Sequence, residues 1–311
     1  DRFYLNMGTA GTWTNTISTD VPSGQGFANS FKLDCTTANA SLSAGSYMTL
    51  QYRIEGQNLQ YIKKGTANAE SLTLSFWVKS AKTGTYIGYL RDGDNGRDIS
   101  AAYTISSANT WEKKTITFPG DTSGAINNDN GIGLYIYFWL VAGSTYQSGS
   151  LQTSWASAAN SAVGQVNLAD STANEWFVTG VQLEAGTTAS DFEFLPYDVN
   201  LNRCLRYYQF IGGVNNASLA SGSSTASTNS VFTIHYQTIM RSAPTHSFSD
   251  MKITDDVSYD KTISSIASSN SSIYSSRVFY THASGATVYR PASLLPVSTS
   301  ATSGITLNAE L

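Results

Sequence analysis

The residues best suited to chemistry are aromatic. Tyr135, Tyr137 and Trp139 alternate with Leu134, Ile136, Phe138 and Leu140. The three rings therefore share one face of an extended segment and the aliphatic side chains share the other. Tyr47, Gln51 and Arg53 fall opposite the apolar face Met48, Leu50, Tyr52 and Ile54, and Trp77 falls opposite Leu72, Leu74, Phe76 and Val78. Rings beside polar donors suit sugars, whose apolar faces stack on aromatics while their hydroxyls take hydrogen bonds. The same pattern also suits packing on a loop, on a second module or on another subunit. The candidate glycan-binding set is Tyr135, Tyr137, Trp139, Trp77, Tyr47, Gln51 and Arg53.

Other chemistries find less support. Glycoside hydrolysis needs two carboxylates at a fixed separation. Glu112, Glu175, Glu184, Asp191 and Glu193 qualify by type, but no spacing picks a pair. The histidines are His235, His246 and His282, so the first two-thirds of the chain holds neither a Ser-His-Asp triad nor a histidine metal site. Asp92, Asp94 and Asp98 resemble the start of a calcium loop, yet the glycine falls one place early and Tyr103 stands where a glutamate belongs. A hairpin turn is the plainer reading, and calcium held elsewhere by loop oxygens stays open. Neither a phosphate-binding loop nor a dinucleotide fingerprint is present. Cys35 and Cys204 lie far apart and read as small buried apolar residues. No catalytic residue, metal site or cofactor is expected.

The elements that must position the aromatics read as strands. Period-2 alternation recurs at Phe31–Cys35, at Met48–Ile54, at Leu72–Val78, after Trp111 at Ile116 and Phe118, and at Leu134–Val141. It recurs again at Phe177, Val181 and Leu183, set against Val178, Gln182 and Glu184. Turn clusters such as Asp92–Gly96 and Asn127–Gly131 separate them. Many short strands with such turns argue for a sandwich or barrel. From Asn200 to Phe210, Leu201, Leu205 and Tyr208 recur at helical spacing, which reads as a short helix or as a loop entering a strand. Beyond Gly213, Ser, Thr, Asn and Ala dominate, with strands expected at Val231–Met240, Ser275–Thr281 and Ile305–Leu311. The Ser-rich stretches 221–230 and 264–276 resemble linkers, but Ile263, Ile266, Ile273 and Tyr274 point to a second, smaller β-module. The expected division is 1–198, a connector 199–212, and 213–311.

Composition sets limits. Charged residues are 13% of the chain, against about 25% in a typical soluble domain, so Ser, Thr, Asn, Gln and Gly must wet the surface. Apolar residues at 41% provide for a sizeable core and argue against disorder. A net charge of −4 without a basic run makes nucleic acid a poor partner. No apolar stretch is long enough to span a membrane. A start at Asp1, without Met or leader, suggests a fragment or processed product.

A family resemblance covers nearly the whole chain. Glu175-Trp176-Phe177-Val178-Thr179-Gly180-Val181-Gln182-Leu183-Glu184-Ala185-Gly186, followed by Phe192-Glu193-Phe194-Leu195-Pro196-Tyr197, resembles the "TGVQLE-G…FE-RPY" signature of bacteriophage tail-fibre and other virion structural proteins. Leu201-Asn202-Arg203-Cys204-Leu205-Arg206-Tyr207-Tyr208 looks like the "L-xx-C-x-RYY" that follows it. Ser75–Ser80, Met240–Thr245, Leu307–Leu311 and the opening Asp1-Arg2-Phe3-Tyr4 resemble further motifs of that family in the same order. The resemblance implies an all-β chain: a jelly-roll sandwich like a carbohydrate-binding module, then a second, smaller β-module. It implies a virion location, a homotrimer, other virion proteins as neighbours, and an anchoring region upstream. It does not carry a binding site, because these motifs are architectural. The expected function is a tail fibre or appendage that binds a host-surface glycan. The alternatives are a purely structural capsid or tail part and a polysaccharide depolymerase. A secreted glycan-binding module cut from an enzyme fits the Cys204–Tyr208 continuation less well.

Overall fold

The computed structural model describes residues 3–157, 161–255, 257 and 260–310. Asp1, Arg2 and Leu311, which belong to two of the quoted motifs, lie outside the described residues. The chain divides into two compact units, Asp1–Phe194 and Leu195–Leu311. Both are almost entirely antiparallel β.

The first unit is a jelly-roll sandwich. Its strands are β1 (Phe3–Gly8), β2 (Thr12–Ser18), β3 (Ser30–Thr37), β4 (Tyr47–Glu55), β5 (Leu72–Ser80), β6 (Gly84–Asp92), β7 (Asp98–Ile105), β8 (Glu112–Phe118), β9 (Ile132–Ala142) and β10 (Glu175–Ala185). They form two five-stranded sheets, ordered β1-β4-β9-β6-β7 and β2-β3-β10-β5-β8. The inward side chains of both sheets meet in one core, in which Leu33, Met48, Leu50, Leu74, Phe76, Leu90, Ile99, Leu134, Phe138, Leu140 and Trp176 are buried. Edge-to-face rings lock its centre, with Phe76–Phe138 centroids at 4.9 Å and Phe76–Tyr103 at 5.1 Å.

Two strands break the expected alternation, each at a bulge. On β10, Trp176 and Val178 point into the core, and so do Val181 and Leu183. The register against β5 shifts between Thr179 and Gln182, around Gly180 at φ +59°. The extra residue flips the parity, so Phe177 lies on the outer face, contrary to the simple period-2 reading. On β9 a shift opposite Met48 and Thr49 turns Val141 inward beside Leu140. Val141 is thus a core residue and not a fourth member of the aromatic face.

The second unit opens with helix α2 (Tyr197–Leu205), preceded in the chain by the four-residue α1 (Ser144–Gln147) of the first unit. The segment read as a connector, 199–212, is helix followed by strand β11 (Tyr208–Gly212), which pairs with β19 (Gly304–Asn308). β14 (Thr245–Ser249) pairs on the other side of β19 and completes a three-stranded sheet. The remaining strands are β12 (Ala220–Ala226), β13 (Asn229–His235), β15 (Met251–Thr254), β16 (Asp260–Ser271), β17 (Ser275–His282) and β18 (Pro291–Pro296). They close into a barrel ordered β12-β13-β17-β16-β15-β18. Closure leaves the Ser-rich strands β12 and β16 no free edge. Phe232, Ile234, Met251, Ile253, Val278, Tyr280 and Leu294 fill it, and Ile305 and Leu307 of β19 join the same core. Among the described residues, no helix is long and apolar enough to cross a membrane.

Candidate functional site

The outer face of the sheet β1-β4-β9-β6-β7 carries the aromatic set in three cross-strand rows. Arg53, Tyr135, Arg91 and Asp98 form one row. Tyr4, Gln51, Tyr137, Tyr89 and Ser100 form the next. Asn6, Thr49, Trp139, Ile87 and Ala102 form the third. Six of the seven sequence candidates, Tyr47, Gln51, Arg53, Tyr135, Tyr137 and Trp139, are therefore on one face. Trp77 is not. It belongs to β5, in the opposite sheet, beside Thr179 and Lys113. Outward-facing alternation is a property of each strand separately, and cannot say which of two sheets a strand joins.

The shared face is not uniformly open. The segment after β9 folds back over its Trp139 end. Trp139 is 6% exposed, packed with Ile87, Tyr89, Ala142 and Ala162, and Tyr146 lies 5.1 Å from it between ring centroids. Polar contacts fix this cover: Ser100 N donates to Gln152 O (2.6 Å), Ser100 Oγ to Ser161 O (2.9 Å), and Ile87 N to Gln165 Oε1 (3.0 Å). Gln51 is 3% exposed and donates to Thr49 Oγ1 (3.0 Å). Tyr47 is half-buried, 6.0 Å from Tyr146. Trp139 and Tyr47 thus belong to a second apolar layer rather than to a stacking platform, and Gln51 is buried beside Thr49.

What stays accessible is Tyr4, Arg53, Tyr135, Tyr137 and Arg91. Tyr4 is 51% exposed, with the Arg53 guanidinium 5.0 Å from its ring centre. Arg53 also lies 5.8 Å from Tyr135. Tyr135 and Tyr137 stack on each other at 5.6 Å and 27°, and Tyr89 meets Tyr137 edge-on at 5.1 Å. The Tyr89 hydroxyl donates to Asp98 Oδ2 (2.7 Å), and Asp98 is 2% exposed. Burial pushes the Tyr137 phenol up to about 12; Tyr135 adds to this, while Arg91 and Arg53 oppose it. The surface is a run of alternating rings and guanidinium groups.

A second polar cluster occupies one end of the sandwich. The Lys64 ammonium is held by Asp92 Oδ2, Asp121 Oδ2 (3.0 Å), Ser123 O (3.0 Å) and Gly124 O (2.8 Å). All three charged side chains are almost fully buried. Arg97 Nε and Nη2 clamp Asp121 at 2.7 and 2.9 Å. Asp92 Oδ1 accepts from Asp94 N and Asn95 N, so Asp92–Arg97 is a hairpin turn. Two carboxylates and two carbonyls converge as they would on a cation, and a tethered ammonium fills the place. Among the described residues no group of three or more His, Cys, Asp or Glu could hold a metal ion. A cavity of about 450 Å³, lined by Leu59, Gln60, Lys63, Lys64, Thr66 and Ile126 among others, opens at this end, and none of the face's aromatics lines it.

No protein-family model matches the chain, and no curated protein matches it. Among solved structures, the chain is similar to the enzymatically active domain of bacteriophage CBA120 tailspike protein 4, at 18% identity over 59% of this chain and TM-score 0.34. It spans 19% of that chain's length. It is similar to TmCBM61, solved in complex with β-1,4-galactotriose, at 9% identity over 59% of this chain and 88% of that one, TM-score 0.31. It is also similar to the CBM22-1–CBM22-2 tandem of Paenibacillus barcinonensis Xyn10C, at 9% identity over 98% of this chain and 91% of that one, TM-score 0.30.

Arg91, Tyr89 and Tyr4 join the face although the sequence did not single them out. The segment Tyr86–Asp92 alternates, with Ile87, Tyr89 and Arg91 on one side, so the signal was available. What was missing is that β6 pairs with β9, forty residues further on, rather than only with β7. The signature residues prove to be a clasp. Gln182 Oε1 accepts from Glu193 N (2.8 Å) and its Nε2 donates to Ser190 Oγ (3.1 Å), while Glu184 accepts from Ser190 N (3.1 Å) and Oγ (2.5 Å). These bonds fold the 187–193 loop back, and Phe27 packs on Phe192 and Phe194. Cys35 is buried and Cys204 half-buried. His282 is buried, with Nε2 3.0 Å from Ser230 Oγ.

Proposed function

We propose that this chain is a non-catalytic, glycan-binding structural protein of a bacteriophage virion, a tail fibre or appendage that trimerises and engages a host-surface polysaccharide. The observation that carries the binding half is the accessible run Tyr4–Arg53–Tyr135–Tyr137–Arg91 across four strands of one rigid sheet. Side chains on strands are fixed more closely than side chains on loops, which suits repeated weak contacts with a sugar chain. The virion half is supported by the ordered series of motifs, from Ser75–Ser80 to Leu307–Leu311.

The carboxylates support a binding role over a hydrolytic one. A glycosidase acid needs a raised pKa. Burial opposes it, but the Lys114 ammonium and the Ser107 and Ser106 amides hold Glu112 below its ordinary value. Glu184 is held down likewise, against burial, by Gln182 and Ser190. Glu175 pairs with Lys32 at 2.6 Å. The covered Trp139 end favours the second reading, a structural part whose aromatics serve packing alone.

Light scattering on the full chain, paired with a glycan array, tests the proposal. A trimer that retains defined glycans, and loses them when Tyr135 and Tyr137 become Ala, supports it. A monomer that retains none leaves the purely structural reading.

A further inference from the structure

We infer that the glycan bound on this face is anionic, and that Arg91 recognises its acidic group. This rests on the glycan-binding reading above and goes beyond it by naming the ligand class. Three observations carry it. The first is orientation. Strand side chains stand roughly perpendicular to the sheet, and Tyr135 and Tyr137 use their ring faces on each other and on Arg53. Flat faces are therefore largely taken, and the groups left for a ligand are phenol hydroxyls and guanidinium N–H donors. A surface of donors suits a carboxylate or sulfate better than the apolar face of a neutral sugar.

The second is charge. The whole chain carries −4, yet among the described residues the accessible charges of this face are two arginines. Arg53 and Arg91 flank Tyr135 in one row, which places their Cα atoms about 10 Å apart at ordinary strand spacing. The carboxylate in that row, Asp98, is buried and accepts from Tyr89. The third is availability. Arg91 is exposed; its guanidinium bonds to the Tyr89 hydroxyl and feels the nearby charge of Asp98, which leaves most of its five N–H donors for a ligand. Guanidinium is the side chain suited to bidentate recognition of planar oxyanions.

The test compares polygalacturonate with its highly methyl-esterified form, which keeps the sugar backbone and removes the charge, and dextran sulfate with dextran. Arg91→Gln is set beside Arg277→Gln, which removes an equal charge from an exposed site in the second unit. The expected result is retention of an acidic polymer over its neutral twin, weakened at least tenfold by R91Q and unchanged by R277Q. The polygalacturonate and dextran sulfate arms tell carboxylate from sulfate. Equal binding of charged and neutral twins, insensitive to R91Q, would overturn the anionic assignment while the glycan reading stands. Equal loss in R91Q and R277Q would overturn it as unspecific charge attraction. Binding to no polymer, and to nothing on the array, would remove both readings. Unaltered melting of R91Q, expected for an exposed side chain, ties any loss to the site.

Discussion

Trp139 and Tyr135 point to the same face of β9, yet their environments assign them different work. Trp139 is sealed between Ile87, Tyr89 and Tyr146. Trp139→Ala is expected to behave as a core truncation and cost about 3–5 kcal/mol, read as a lowered denaturant midpoint. Tyr135→Ala removes a half-buried ring and is expected to leave stability within about 1 kcal/mol while reducing glycan retention. If Trp139→Ala unfolds no more easily than Tyr135→Ala, the cover over that end is not a packed layer. Lys64 gives a sharper case. It neutralises Asp92 and Asp121 from inside, so Lys64→Met leaves buried Asp92 short of its cation and Asp121 with Arg97 alone. That should cost about 3–5 kcal/mol. Because the ammonium fills the cage, a chelator is expected to leave the melting temperature of the native chain unmoved; a chelator-induced drop would mean that a metal shares the load.

At the level of elements, the strands were legible and the bulges were not. Leu72, Leu74, Phe76 and Val78 of β5 face inward as their alternation requires. On β10 the same logic mis-assigned Phe177, because one residue inserted at Gly180 reverses the faces on either side of it. Gly180 marks the place, but a lone glycine in a strand signals a bulge, a bend or a close approach equally. Here it does two of these: φ is +59°, and a Cβ would lie 2.4 Å from the Phe27 ring. Gly180→Ala is therefore expected to cost at least about 1–2 kcal/mol from the left-handed backbone alone, more with the Phe27 clash. A denaturant melt of the variant checks this, and an unchanged midpoint would mean the bulge relaxes without penalty. The face itself was half legible. Each strand's outward residues could be named, but not which strands are neighbours. Sheet order β1-β4-β9-β6-β7 is a long-range property, and it alone brought Arg91 to Tyr135 and sent Trp77 to the other sheet.

On the scale of the whole molecule, the two units have separate cores, and their optical probes separate as well. All six tryptophans, from Trp13 to Trp176, belong to the sandwich, so indole fluorescence reports that unit alone. Among its described residues, the same unit holds five carboxyls that are more acidic folded than free. The Lys79 ammonium lowers Asp20. Against the pull of burial, Arg97 and Lys64 lower Asp121, Lys82 and Asn174 lower Asp170, Lys114 lowers Glu112, and Gln182 and Ser190 lower Glu184. On acidification the unfolded chain takes up these protons first, at its ordinary carboxylate pKa values of about 4. Their stabilisation is complete above that range and drains away as pH falls through the lower folded values. The fluorescence-detected midpoint in urea should hold steady between pH 7 and about 5 and then drop steeply below about 4. The ion pairs include the buried Lys64–Asp121–Arg97 set, so added salt at pH 7 should lower the midpoint little, since buried pairs are screened far less than exposed ones. A large drop in the midpoint on adding salt at pH 7 would place the contribution in the surface pairs of Asp20, Asp170 and Glu112 instead.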